Sequence, residues 1–179
     1  MDIPENLRRL GKVNHEALRD AVLALNENVW REDEVRQSKF QQHSDTQSIV
    51  LLWLVGWEPH KVVRRSGCDY IGNEASELID EIVANYYPED GEFLRAVVAK
   101  FKPYGCIKAH IDSHASFACG HRIHVPLKTS EDVFFYLNGE RVIMEEGKGY
   151  EINNLRAHEV HNLGTEDRIH LIFDYAPPK

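Results

Sequence analysis

Cysteine is scarce in this chain, with Cys68, Cys106 and Cys119 the only three among 179 residues. Three is an odd number and none stands in a C-x-x-C pair, which excludes a disulfide framework and a structural zinc knuckle and leaves free thiols as the expectation. Long apolar runs are missing too. No stretch approaches the ~18 residues of a membrane span, and the opening MDIPENLRRLGK has no apolar core of the secretory type. A cytoplasmic protein with no membrane partner is expected. Glycine (11) and proline (7) are too few for a low-complexity chain. Positive charge is also in deficit: 21 basic against 29 acidic residues give a net −8, which repels a phosphate backbone and argues against nucleic acid as a partner.

What remains is the composition of a soluble globular protein, 42% hydrophobic and 28% charged. A chain of this length buries about 70% of its unfolded surface, enough for one sizeable core, so one domain over 1–179 is the expectation. One stretch departs from the acidic average. From Phe93 to His110 there are Arg95, Lys100, Lys102 and Lys108 and no acidic residue. That island reads either as solvated strand-edge lysines or as a wall that attracts an anionic small molecule.

Leu18, Val22, Leu25 and Val29 recur at helical spacing, with Ala21 beside them and Asn14 available as a cap, predicting a helix over 15–31. Leu78, Ile79, Ile82, Val83 and Tyr86 repeat the pattern after Asn73 and stop at Pro88, predicting a second over 74–87. Between them Ser48 to Trp53 is β-rich, and Pro59 to Tyr70 reads as a polar loop. After Gly91 the texture changes to eight short Val/Ile/Phe/Tyr-rich segments: 95–101, 107–112, 121–127, 132–137, 140–144, 149–153, 158–163 and 168–175. Asn138-Gly139 is a strong hairpin signal among them. The reading is a mainly β fold with N-terminal helices, a double-sheet roll or barrel. Residues 1–92 form its helical support and lid region, with 55–72 over the mouth, and 93–176 form the β-roll core.

Ten histidines are present, seven of them after residue 109, and this enrichment is the main functional signal. In His110-Ile111-Asp112, strand alternation projects imidazole and carboxylate from one face, which suits two adjacent positions on a metal. A third ligand must come from elsewhere. His158 and His161 are candidates of opposite strand parity, of which one can face the same interior. Two imidazoles and one carboxylate make the facial triad used for non-haem Fe(II). Arg168 opens the last strand and shares a face with His170 and Ile172. A guanidinium aimed into a roll needs a partner, and the carboxylate of a bound small molecule could supply it. Arg122 and His124 share a face of their own strand. His114 and His121 fall in expected loop, His161 reads as packing or surface, and Asn153 and Asn162 are candidates to orient ligands.

Three segments, YGCIKAHID (104–112), GHRIHVPL (120–127) and AHEVHNLGTEDRIHLIFD (157–174), together resemble the aspartyl/asparaginyl β-hydroxylase-like branch of the Fe(II)/2-oxoglutarate oxygenases, which also includes free proline hydroxylases. The resemblance covers about 93–176. It implies a double-stranded β-helix of the jelly-roll, cupin-like kind, with iron at His110, Asp112 and His158. It further implies that Arg168 holds the distal carboxylate of 2-oxoglutarate, that Arg122 and His124 lie near that cosubstrate, and that dioxygen is consumed. The implied activity is hydroxylation of a C–H bond in a free or peptide-borne amino acid, with 2-oxoglutarate decarboxylated to succinate. Asp112 is a departure, since the aspartyl-residue hydroxylases of the branch have a small residue there, and it brings the chain nearer to the free amino-acid hydroxylases. The chain also lacks the membrane anchor and helical repeats of the animal enzymes. The rival reading is a cupin-like metal-binding isomerase, sugar-binding or sensing module, which does not need a carboxylate clamp at Arg168. Oligomeric state has no signal in the sequence.

Overall fold

The computed structural model describes residues 1–34, 45–56 and 61–178. Among them, strands β1 (Leu7–Lys12), β2 (Thr46–Val55), β3 (Lys61–Arg64), β4 (Glu92–Phe101), β6 (His121–Lys128), β9 (Lys148–Ile152) and β11 (Arg168–Ala176) form a seven-stranded sheet in the order β1-β9-β6-β11-β4-β2-β3. Strands β5 (Cys106–His110), β7 (Val133–Leu137), β8 (Glu140–Val142) and β10 (His158–Asn162) form a four-stranded sheet ordered β5-β10-β7-β8. The strand pairs in both sheets are antiparallel. The result is a mainly β double-stranded β-helix with helices α1 (Glu16–Leu23) and α2 (Cys68–Tyr86) on the outer face of the larger sheet and a short α3 (Ala115–Cys119) after β5.

Alternation along β11 decides what each face does. Ile169, Leu171, Phe173 and Tyr175 join Leu18, Val22, Ile71, Leu78 and Ile82 in the core beneath the helices. Burying each such aliphatic side chain stabilises by about 1.5–3 kcal/mol. Arg168, His170, Ile172 and Asp174 take the opposite parity and face the interior of the roll. There Phe101, Ile107, Phe135, Leu137, Tyr150 and Val160 form a second core. The hairpin at Asn138-Gly139 forms as expected, with φ +51° and +81°, the left-handed pair a two-residue type I′ turn requires.

Several boundaries differ from the sequence reading. The first helix ends at Leu23, not residue 31, because Asn26 Oδ1 accepts from the Asn28 N–H at 2.9 Å and turns the chain into a 3-10 segment at Val29–Arg31. His15 rather than Asn14 occupies its N-cap, and the Asn14 N–H donates to Glu81 Oε2 at 3.3 Å. The second helix starts at Cys68 instead of 74. Its extra first turn is anchored on β2, Cys68 Sγ lying 3.2 Å from the Leu51 carbonyl and the Gly67 N–H donating to that of Val50 at 3.0 Å. The segment 59–70 read as loop holds β3, which pairs with β2; residues 57–60 lie outside the described residues. The first strand, β1, was not foreseen. His121 stands in β6, not in a loop, and His114 caps α3.

The basic island divides: Arg95 and Lys100 are paired with carboxylates, while Lys102 and Lys108 are exposed, as solvated strand-edge lysines would be. Arg95 meets Asp174 at 3.0 Å, and buried Lys100 meets Glu27 at 2.6 Å above the Trp30 ring. The three cysteines are free, as expected, and no helix among the described residues is long and apolar enough to cross a membrane.

Candidate functional site

His110 ends β5 and His158 opens β10, and the two are direct cross-strand partners with ring centroids 4.3 Å apart. Each ring is oriented the same way. His110 Nδ1 lies 2.8 Å from the Lys108 carbonyl and His158 Nδ1 3.0 Å from that of Arg156. A carbonyl only accepts, so each Nδ1 carries a proton, and in the neutral ring this leaves the metal-binding lone pair on Nε2. Burial holds the His158 pKa below the usual histidine value, against the opposing pull of Asp112, which keeps the ring neutral.

Asp112 arrives by a different route from the one alternation implies. β5 ends at His110, and Asp112 lies beyond it, held by its neighbours. Its N–H donates to the Asn154 carbonyl at 3.2 Å, and its Oδ2 accepts from Asn154 Nδ2 at 3.3 Å and from Arg122 Nη1. Oδ1 is 4.0 Å from His110 Nε2. One donor atom from each of His110, Asp112 and His158 lies within 4.8 Å of the others. Two imidazoles and a carboxylate fit a divalent first-row metal that keeps positions open for other ligands.

Arg122 is saturated by carboxylates. It donates from Nε to Asp174 Oδ1 and from Nη2 to Asp174 Oδ2, both at 2.8 Å, and from Nη1 to Asp112. Arg95 binds the other side of Asp174, and both guanidinium groups lie 4.4 Å from the Phe117 ring centroid. Burial alone would raise the Asp174 pKa, but Arg122 and Arg95 outweigh it and hold the carboxyl below its ordinary value. The same carboxylates raise Arg122 in spite of its burial. The chain of alternating charge Asp112–Arg122–Asp174–Arg95 was not foreseen beyond Arg122. Asp174 was within reach of the reading, since it shares strand parity with Arg168.

Further along the interior face, His124 is buried with its ring 5.8 Å from that of His170 and 6.0 Å from Phe135. Arg168 is 4% exposed and lies 5.9 Å from the Phe135 centroid, with Nη2 2.7 Å from His170 Nδ1. Arg168 and His170 line a cleft of about 450 Å³ together with Val133, Phe135, Arg141 and Met144. His161 points the other way, toward Glu159 at 3.5 Å and the Tyr136 ring. Asn153 bonds Asp2 and Ile3, and Asn162 bonds the backbone of Lys102 and Glu166, so neither orients a candidate ligand. Asn154 does, unforeseen.

Residues 12–178 match the aspartyl/asparaginyl β-hydroxylase family. No curated protein matches the chain by sequence. A prolyl hydroxylase from Trichoplax adhaerens, solved with a hypoxia-inducible-factor peptide fragment, is similar over 97% of this chain and 84% of its own, at 15% identity and a TM-score of 0.57. The viral collagen prolyl hydroxylase of Paramecium bursaria Chlorella virus-1, in its 2-oxoglutarate (2OG) complex, is similar over 98% of both chains, at 11% identity and 0.53. A Pseudomonas putida prolyl-4-hydroxylase is similar over 98% of this chain and 95% of its own, at 12% identity and 0.52. At such identities the likeness is one of fold.

Proposed function

The chain belongs to the aspartyl/asparaginyl β-hydroxylase family, and from that premise we propose that it is an Fe(II)- and 2-oxoglutarate-dependent hydroxylase of a C–H bond in an amino acid, free rather than peptide-borne. The observation that carries this reading is the convergence of His110, Asp112 and His158 in the same roll whose interior face also presents buried Arg168. Asp112 is what favours a free amino acid, because it is the residue that sets the chain apart from the peptide-modifying branch.

His110 Nε2, His158 Nε2 and an Asp112 oxygen would hold the iron. When bound, Fe(II) and 2-oxoglutarate supply the chemistry: dioxygen is split between succinate and the hydroxylated product, with release of carbon dioxide. The tasks of the chain are positioning, charge matching and exclusion of water. Arg168 anchors the distal carboxylate by a charge-assisted pair in a site it shares with Phe135 and Met144. His124 lies opposite Ile172, between the Arg168 end and the Arg122 end of the interior face, where it would face a bound cosubstrate. Arg122 pairs with both Asp112 and Asp174 and fixes Asp112 Oδ2, leaving Oδ1 on the side of His110 Nε2, where it would be available to a metal. Residues 1–92 are more than the helical support expected of them: besides α1 and α2 they supply strands β1, β2 and β3 of the larger sheet, and we read the whole as one oxygenase domain.

The test is succinate formation from 2-oxoglutarate by the anaerobically purified, Fe(II)-loaded chain on admission of air, screened over free amino acids and short peptides. Stimulation by a free amino acid is the expected result. Arg168→Ala should raise the 2-oxoglutarate requirement by about 10²- to 10³-fold, the loss of a buried charge partner. A chain that binds metal yet neither binds nor consumes 2-oxoglutarate would overturn the assignment in favour of a cupin-like module.

A further inference from the structure

His170 is 1% exposed, a level at which a polar ring needs partners for both nitrogens. One is accounted for. Arg168 Nη2 lies 2.7 Å from Nδ1, and because a guanidinium only donates, Nδ1 is the acceptor and the proton sits on Nε2. Burial first, then Arg168 and His124, push the His170 pKa well down, in keeping with a neutral ring. The Nε2–H is therefore a buried donor, and among the described residues it has no hydrogen-bond partner. Its cross-strand neighbours, Ala99 on β4 and Pro126 on β6, have no side-chain acceptor to offer. Both His170 and Arg168 line the cleft of about 450 Å³, in which the Phe135 and Met144 side chains supply apolar wall.

Such a pair matches one chemistry. A fixed cation beside a neutral N–H donor, in a partly apolar cleft, accepts a carboxylate, whose two oxygens take one donor each. We infer that His170 is a second cosubstrate-binding residue, its Nε2–H donating to the same distal carboxylate that Arg168 pairs with while its Nδ1 fixes the guanidinium. The inference rests on the 2-oxoglutarate reading and adds a residue to it. It also explains the order Arg168-Ile169-His170: two residues apart on a strand, both side chains share the interior face.

The experiment is calorimetric titration of the anaerobic Fe(II)-loaded chain with 2-oxoglutarate and with 2-oxovalerate, which has the same carbon chain without the distal carboxylate. The wild-type chain should prefer 2-oxoglutarate. His170→Phe, which keeps a ring and removes both nitrogens, should weaken 2-oxoglutarate by about 10- to 100-fold, leave 2-oxovalerate and Fe(II) affinity unchanged, and so erase most of the preference. His170→Gln, which restores an N–H donor, should recover part of it. Equal 2-oxoglutarate affinity in wild type and His170→Phe overturns the role of His170, whereas a wild-type chain that binds no 2-oxoglutarate overturns the functional reading instead. A wild-type measurement stands independently of how the variants fold. In the ¹⁵N-histidine-labelled, Zn(II)-loaded chain the His170 Nε2–H resonance should shift on adding 2-oxoglutarate and stay in place with 2-oxovalerate; no shift with 2-oxoglutarate also overturns the role.

Discussion

Asp112 is placed by two side chains from other parts of the chain, those of Arg122 and Asn154, rather than by its own strand. The alternation argument put it correctly beside His110, but for an incomplete reason: β5 stops two residues short, and Arg122 and Asn154 take over. Its supports were illegible because they come from other elements: Asn154 is 42 positions away, and Arg122, 10 away, is itself held by Asp174, 52 positions further on. No local pattern marks such pairs. Histidine parity, by contrast, was legible in that it set His158 and His161 on opposite faces, the resemblance favouring His158, and it makes a sharp prediction. His158→Ala should lower Fe(II) affinity at least ~10²-fold, because it removes a donor whose tautomer the Arg156 carbonyl has already set. His161→Ala, on the outer face with Glu159, should change it less than about twofold, within the range of surface substitutions. Equilibrium Fe(II) titration under nitrogen measures both, and equal losses would reassign the third ligand.

At the scale of elements, the strands after Gly91 were legible to within three residues at their ends, since most are rich in buried β-formers and bounded by turn residues. β1 and β3 were not. Only Leu10 of β1 is buried, and β3 has no buried residue, so neither presents a period of two. They are edge strands, specified by the neighbours they pair with. The start of α2 was missed for a related reason: its first turn depends on carbonyls of β2, while the turns from Ala75 to Val83 bury a clear stripe. That stripe lies on the opposite side of the larger sheet from the candidate metal ligands. Ile82→Ala, at a fully buried position, should therefore cost about 2–5 kcal/mol in urea unfolding. Fe(II) affinity of the folded fraction should stay at the wild-type value. A variant that lost metal affinity while keeping its stability would show that the helices reach the site.

The whole molecule carries its acid sensitivity in a few buried groups. His158 and His170 both have pKa values below that of the unfolded chain, chiefly through burial. Below about pH 6.5 the unfolded state binds protons that these rings refuse, so stability present above that pH is lost as pH falls, by up to about 1.4 kcal/mol per unit for each ring. Asp174, lowered by its two arginines against its burial, adds a second loss at pH values below about 4. Thermal unfolding followed from pH 8 to 3 should show a decline in Tm beginning near pH 6.5, and a Tm independent of pH between 7 and 5 would contradict the burial of these rings. His170→Phe should flatten the upper part of the curve. One arrangement bears on how the chain is made. β11 stands at the middle of the larger sheet, between β4 and β6, yet comes last of the strands in sequence. Until residues 168–176 have left the ribosome, β4 and β6 each lack a neighbour. The sheet then exists only as two separate flaps, so the candidate metal ligands are synthesised before the framework that can use them, and folding must wait for translation of the strand that carries Arg168.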